Sequence, residues 1–128
     1  TIYRARHSGY STEIRPMSPV RLTHATSLIL QALASGSRHG FQIMDVTGLA
    51  SGTVYPVLRR LEKEGAVGSE WEDEQGAREA GRRRRRVYQL SESGQVLADE
   101  ARRRLARTQR VLADEALGRV GASGSGEA

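Results

Sequence analysis

The chain has 128 residues, a formal net charge of +5 and hydrophobic residues at 38% of its positions. This length predicts one domain with a small core, and the scarcity of apolar residues favours completion by a partner subunit. The absence of cysteine excludes disulfides, thiol chemistry and cysteine-type zinc sites. The sequence shows neither a membrane-span pattern nor a signal-peptide pattern, so we expect a cytoplasmic protein with no membrane partner.

Residues 1–20 lack hydrophobic periodicity and mix Gly, Ser, Pro and Arg, which predicts a flexible N-terminal arm. The alternative interpretation is a basic arm that lies on DNA through Arg4, Arg6 and Arg15. In both cases the folded part is expected to begin near residue 21.

Two short helices are predicted next. Apolar residues at helical spacing predict the first helix over Thr23–Ala34, and a second over His39–Val46. Thr47–Ala50 forms the turn into a third helix and contains Gly48. This order is typical of a helix-turn-helix arrangement.

The third helix is predicted within the stretch Ser51–Gly65, with Gly65 just past its end and with an apolar stripe of Val54, Leu58 and Leu61. Ser51 or Thr53 is expected to cap its first turn. With Thr53 as the cap, Pro56 falls in the first turn, where its missing N–H costs little. The opposite face is basic, and its candidate DNA contacts are Arg59, Arg60 and Lys63, with Arg59 bidentate to a guanine or held on phosphate.

The N-terminal end of this helix is suited to the major groove. Gly52 leaves clearance for base edges, while Thr53 and Pro56 offer apolar surface for thymine methyl groups. The hydroxyls of Ser51 and Tyr55 can reach phosphates. The alternative interpretation is that Tyr55 and Pro56 only pack within an ordinary amphipathic helix.

A β-hairpin follows the third helix. Ala66–Trp71 alternates in strand fashion and Arg85–Leu90 can pair with it, which leaves Glu72–Arg84 as a loop. Trp71 is expected in the core at the base of this wing, and the alternative is stacking on a ligand. Residues 21–90 are therefore predicted to form a winged helix-turn-helix DNA-binding domain.

The wing carries the run Arg82–Arg86, flanked by acidic residues. One or two arginines are expected in the minor groove and others on phosphate, so that about half of the run contacts DNA. Because strand residues alternate in direction, the members cannot all point the same way. A solvated basic hairpin is the alternative. The candidate wing contacts are Arg82, Arg83, Arg84 and Arg85.

A long helix is predicted over residues 91–117, capped by Ser91, and residues 118–128 are predicted as a disordered tail. Its narrow apolar stripe is typical of helices that pair. The fold class is thus mainly α with a small β-hairpin, completed by a C-terminal dimerisation helix. The candidate dimer contacts are Leu97, Ala101, Leu105, Thr108 and Leu112.

These motifs resemble the PadR family of bacterial winged-helix transcriptional regulators. The resemblance covers roughly residues 20–115, and the motifs occur in the family's order. It implies a homodimer on a palindromic double-stranded DNA operator, with repression released by a small-molecule effector or another signal. The matching segments are His39-Gly-Phe-Gln-Ile43, Ser51–Gly65, Trp71-Glu72 and Arg85–Gly94.

Two departures from that family are visible. The wing lacks the Gly-Arg-Pro common in members, and the C-terminal helix carries no aromatic residue. The second departure argues against a drug-stacking pocket of the kind known in some members.

The sequence offers little support for an enzyme or a metalloprotein. The three histidines, His7, His24 and His39, lack metal-ligand spacing, and no catalytic motif or phosphate loop is found, so we expect no enzyme, cofactor or metal. The alternative function is a winged-helix protein–protein interaction module without specific DNA binding, which docks a basic partner through the acidic wing loop.

Overall fold

A computed structural model describes residues 20–127, with side chains as far as residue 118. The predicted arm lies outside this range apart from Val20, which packs against the core. Within the range, no helix is long and apolar enough to cross a membrane. The elements are α1 (His24–Ala34), α2 (Gly40–Thr47), α3 (Ser51–Lys63), β1 (Val67–Trp71), α4 (Glu74–Glu79), β2 (Arg86–Leu90) and α5 (Glu92–Glu127).

Helices α1 to α3 form the helix-turn-helix around one apolar core. Thr23 caps α1, and its side chain accepts a hydrogen bond from the Thr26 backbone N–H. The apolar stripes of the three helices converge, as their spacing predicts. Ile29 and Leu30 from α1, Ile43 from α2, and Leu58 and Leu61 from α3 are all fully buried.

The start of α3 differs from the prediction. Ala50 occupies the N-cap with extended backbone and no side-chain hydrogen bond, so neither Ser51 nor Thr53 caps the helix. Pro56 therefore lies inside the helix, not in its first turn. Its nitrogen cannot donate to the Gly52 carbonyl one turn earlier. The loss is tolerable because Gly52 is exposed and its carbonyl is open to water.

Strands β1 and β2 pair antiparallel with Trp71 opposite Arg86, which confirms the hairpin. The Tyr88 backbone N–H donates to the Arg38 carbonyl at 2.8 Å, so the α1–α2 connector lies along the free edge of β2. The predicted loop Glu72–Arg84 joins the two strands, but it contains the short helix α4, which was not predicted. Asp73 caps α4 by accepting from the Gly76 N–H at 3.1 Å, and Ala77 is its buried residue.

A junction of three segments fixes the start of α5. The Ser91 hydroxyl accepts from the Gly94 N–H at 3.1 Å and donates to the Gly65 carbonyl at 2.6 Å. A Cβ added at Gly94 would overlap the Ala66 carbonyl oxygen, so this close approach requires glycine. The junction thus joins the end of α3, the start of β1 and the first turn of α5.

Helix α5 packs along α1 and extends further than predicted. The Gln31 amide donates to the Ala98 carbonyl at 2.8 Å, and both Ala98 and Ala101 are buried against the core. The helical backbone does not end at Leu117 as predicted but continues to Glu127. Extension of an existing helix gains one hydrogen bond per residue fixed, so it can continue across residues of low propensity.

Candidate nucleic-acid interface

The N-terminal turn of α3 forms a small exposed surface. Ser51, Gly52 and Pro56 are exposed, and Thr53 is half-buried. A Cβ added at Gly52 would meet no atom within 4 Å, so the backbone there is open to a close approach from outside. The structure therefore brings these four predicted contacts together on one accessible turn.

Tyr55 combines the two roles that the sequence left open. A Cβ on Gly40 would collide with the Tyr55 ring and hydroxyl, so the hydroxyl end of the ring packs against the start of α2. The residue is nevertheless 37% exposed. Tyr55 thus packs between the two helices of the motif and still offers part of its side chain to a ligand.

The basic end of α3 is exposed at Arg59, Arg60 and Lys63. The Arg60 guanidinium also donates to the Thr26 hydroxyl at 3.4 Å, which draws it towards α1. On the same helix, Glu62 holds the wing. Its carboxylate accepts from the Ser69 hydroxyl at 2.7 Å and pairs with Arg86 at 3.5 Å.

Glu72 organises the arginine run of the wing. Both of its carboxylate oxygens receive hydrogen bonds from the Arg82 guanidinium, one of them at 2.7 Å. The same carboxylate accepts from the Arg85 backbone N–H at 3.1 Å and lies 3.6 Å from the Arg85 guanidinium. The hydrogen bond from Arg82, with help from Arg85, lowers the pKa of Glu72 to about 2. Glu72 is therefore fully ionised at neutral pH.

Trp71 is not in the core, contrary to the prediction. It is 53% exposed, and the guanidinium groups of Arg84 and Arg86 each lie 5.3 Å from its ring centroid. Guanidinium groups are attracted to the negative face of an indole, so a tryptophan can leave the core and still be held. Arg84 lies two residues before Arg86, the first residue of β2, and both guanidinium groups lie beside the same ring.

The five arginines of the run are therefore not equivalent. Arg82 and Arg85 are paired with Glu72, and Arg84 and Arg86 contact Trp71. Among the side chains of residues 20–118, Arg83 is the member of the run with neither a carboxylate nor an indole partner, and it is exposed.

His39 connects the helical motif with the wing. It precedes Gly40, on which Tyr55 rests, and its imidazole lies near Arg85, Arg82 and the Glu72 carboxylate. Burial, reinforced by the positive charge of Arg85, lowers the pKa of His39 below its ordinary value of 6.5. Both effects favour the neutral form of the imidazole beside the wing.

Two of these residues were not predicted from the sequence. The contact of Glu72 with Arg85 could have been predicted from the strand pairing. When Trp71 lies opposite Arg86, residue 72 lies opposite Arg85, and the two form an oppositely charged cross-strand pair. His39 could not be found in this way, since its position beside the wing depends on tertiary packing.

The predicted dimer stripe of α5 divides into two parts. Ala101 is 0% exposed and Leu97 packs against the core, so the first part lies within the protomer. Leu105 and Thr108 are half-buried. Leu112 is 63% exposed. Ala101 has no surface to offer a second chain, and the expectation that it contacts a partner is not supported.

An open pocket of about 430 Å³ lies along α5. Leu22, from the segment before α1, forms one wall, and the α5 side chains form the other. Three arginines and one carboxylate from α5 line the pocket, so it is strongly basic. These residues are Glu100, Arg103, Arg104 and Arg107. Elsewhere, no group of three or more potential ligands among the described residues is arranged to hold a metal ion.

Comparison with known families gives one match. The model of the transcriptional regulator PadR-like family matches residues 29–100. The matched segment begins in α1 and ends in α5, and it includes α3 and the whole wing. No curated protein sequence matches the chain significantly.

Solved structures with the same fold include three informative cases. A PadR family transcription regulator from Clostridium difficile R20291 is 22% identical with a TM-score of 0.58, over 70% of this chain and 95% of its own. Bordetella bronchiseptica BpsR, whose DNA binding is regulated by 6-hydroxynicotinic acid, is 19% identical with a TM-score of 0.54, over 84% and 77%. Lactococcus lactis ZitR in complex with DNA is 17% identical with a TM-score of 0.55, over 88% and 77%. These similarities show the winged-helix fold.

Proposed function

Because this chain belongs to the PadR-like family of transcriptional regulators, we propose that it is a repressor that binds a palindromic DNA operator as a homodimer. The observation that carries this proposal is the exposed N-terminal turn of α3, where Gly52 leaves the backbone open beside Ser51 and Pro56. An exposed turn of this kind can enter a major groove with no rearrangement of the rest of the protein.

The two parts of the interface have different roles in this proposal. The turn of α3 reads base edges, because it is slim and carries short polar and apolar groups. The wing, together with Arg59 and Lys63, supplies attraction to phosphates. Tyr55 of α3 packs against Gly40 at the start of α2, and the neighbouring His39 lies near Glu72 and Arg85 of the wing.

Dimerisation is proposed through the distal half of α5. Val111, Leu112 and Leu117 are large apolar side chains that are exposed in the protomer. Paired in a two-fold dimer, they would be covered, and the two winged helices would face two half-sites related by the same symmetry. This arrangement is the reason that we propose a palindromic operator.

Leu112→Arg tests the dimer. Since Leu112 is exposed, the protomer fold should be unchanged, whereas the charge should disrupt the seam and yield monomers with weak operator binding. Sedimentation velocity measures the state of association, and Asp99→Arg, on an exposed face near the protomer core, is the control. An unchanged dimer for Leu112→Arg would mean that the seam lies elsewhere.

Release by a small-molecule effector is also proposed. The basic pocket along α5 offers Arg103, Arg104 and Arg107, and guanidinium groups bind carboxylates well. Regulation by an acid is known for the structurally similar BpsR. We therefore propose that a small organic acid binds this pocket and weakens operator binding.

The direct test of the function is titration of DNA from upstream of the protein's own gene, with fluorescence anisotropy at physiological salt. We expect affinity at least about a thousandfold above that for random duplex. Equal affinity for both duplexes would contradict the proposal. The control protein is Glu74→Gln, which changes an exposed charge on the wing without touching α3.

A protein–protein interaction module is the second candidate. Its specific support is α4, which exposes Glu74 and Glu79 on the wing and follows the exposed Asp73. Charge reversal at Arg59 and Lys63 separates the candidates, because it should abolish DNA binding and leave capture of a basic partner intact.

A further inference from the structure

The wing contains five consecutive arginines but only part of that charge is free. The Glu72 carboxylate accepts hydrogen bonds from the two terminal nitrogens of the Arg82 guanidinium and from the Arg85 backbone N–H, and it forms an ion pair with the Arg85 guanidinium. The Glu72 backbone N–H in turn donates to the Arg85 carbonyl at 2.8 Å. One carboxylate thus holds both ends of the segment 82–85 through side-chain and backbone bonds.

These bonds compete with DNA. A phosphate that takes Arg82 must displace a carboxylate that already makes two charge-assisted hydrogen bonds to that guanidinium. A phosphate that takes Arg85 must displace the same carboxylate from an ion pair at 3.6 Å. It must also approach the negative charge of Glu72 itself. Both effects make these two arginines poor phosphate ligands while Glu72 is in place.

The remaining members are held differently. Arg84 and Arg86 lie against Trp71, and Arg86 is also paired with Glu62. Stacking on an indole fixes the plane of a guanidinium group but leaves its edge free to donate. Arg83 lies between the two clamped arginines and is exposed with no such partner among the described side chains.

We propose that Glu72 is a positioning residue that withholds Arg82 and Arg85 from DNA and presents Arg83 as the wing's principal DNA contact. The inference rests on the proposed DNA-binding function and assigns its charge to particular atoms. With Glu72 in place, the wing contacts DNA mainly through one ordered arginine and not through five equivalent arginines. Glu72 therefore sets the ratio of operator binding to random binding, because non-specific affinity depends on the number of phosphates neutralised.

The central test compares Glu72→Gln with Glu74→Gln. Both remove one negative charge from the wing, but Glu74 makes only an exposed pair with Arg78 at 3.9 Å among the described contacts. Glu72→Gln should release two arginines per subunit, so binding to random duplex should tighten about tenfold. The slope of log affinity against log salt should steepen by up to about two per subunit. Glu74→Gln should change affinity less than about twofold.

Single arginine variants locate the contact. Arg83→Ala should make the salt slope shallower by about one per subunit. Arg82→Ala should leave the slope close to that of the wild type. Equal loss of slope in both variants would overturn the proposal, as would a Glu72→Gln protein that matches Glu74→Gln in slope and in specificity ratio.

A measurement without DNA separates failure of the clamp from failure of the function. Trp71 is the only tryptophan of the chain and contacts Arg84 next to the clamp. Release of the segment in Glu72→Gln should shift Trp71 emission and increase its quenching by iodide, while circular dichroism stays unchanged. An unchanged emission would refute the clamp, even if the wild-type protein binds its operator; loss of operator preference in the wild type would refute the function alone.

Discussion

Helix α3 and the wing form the two halves of the proposed interface, and they are held in place by different forces. Leu58 and Leu61 anchor α3 with fully buried apolar side chains. The wing loop is anchored by Glu72 and by cation–π contacts to Trp71. Apolar burial depends little on salt or pH, whereas ion pairs at a surface depend on both. The two halves should therefore respond differently to the same perturbation.

The largest expected effect is on the apolar side of this comparison. Leu58→Ala removes a side chain with 0% exposure and leaves a cavity beneath α3, so it should lower the free energy of unfolding by about 2–5 kcal/mol. Urea denaturation followed by circular dichroism measures the loss. Val46→Ala, at an exposed apolar position of α2, should change stability by less than about 0.5 kcal/mol. Equal effects would mean that α3 is not held by its core.

A second variant separates the binding role of α3 from its stability. Gly52→Leu places a side chain in open space, so the fold should be unharmed and the helix slightly favoured. The same side chain should block the major groove and weaken operator binding at least about a hundredfold, or about 2.7 kcal/mol. Anisotropy titration checks the binding. Ala34→Leu, at the exposed end of α1, is the control, and retained operator affinity in Gly52→Leu would place the reading surface elsewhere.

The junction where the two halves meet gives a third test. Gly94→Ala would press a methyl group into the Ala66 carbonyl, and backbone cannot yield as a side-chain end can. We expect a loss of about 1–3 kcal/mol, measured by thermal unfolding. Gly40→Ala is the contrasting variant, because its methyl group meets the movable Tyr55 ring and should cost less. The reverse order would contradict this account of the junction.

The smallest effect is a pH response confined to the wing. The pKa of Glu72 is depressed from 4.5 to about 2, so its ion pairs persist above pH 4.5 and are lost as the pH falls towards 2. Trp71 emission should change in this window, and the Glu72→Gln protein should lack that change. Because α3 is held by apolar contacts, its helical signal should not follow the same curve. Identical titrations of the two proteins would disprove the assignment to Glu72.

Much of the fold could be predicted from the sequence because its signals are periodic. The stripes of α1 and α3, the alternation of β1 and the cap at Ser91 each have a local cause. The start of α3 could not be placed, since Ala50 gives no capping signal and Ser51 and Thr53 both do. The six-residue α4 is too short to show a period, although Asp73 caps it.

The sequence predicted which residues belong to the candidate site better than it predicted which other residues they contact. A hydrophobic stripe on α5 shows that a face is covered but not by what, and Ala101 is covered by its own chain. Likewise, five arginines in a row indicate charge, whereas their availability depends on Glu72 and Trp71 across the hairpin. These contacts depend on strand register and tertiary packing, and a local stretch of sequence does not reveal either.

The junction at Ser91 fixes α5 rigidly to the winged helix, so that a tilt of this long helix moves the winged helix with it. The first turn of α5 is fastened to the Gly65 and Ala66 carbonyls, at the end of α3, while the helix continues for roughly 50 Å at 1.5 Å per residue. In a dimer joined near the far end of α5, a tilt of a few degrees changes the distance between the two reading helices by several ångströms. An operator has a fixed half-site spacing, so such a tilt alone would release the protein without altering any residue that contacts DNA.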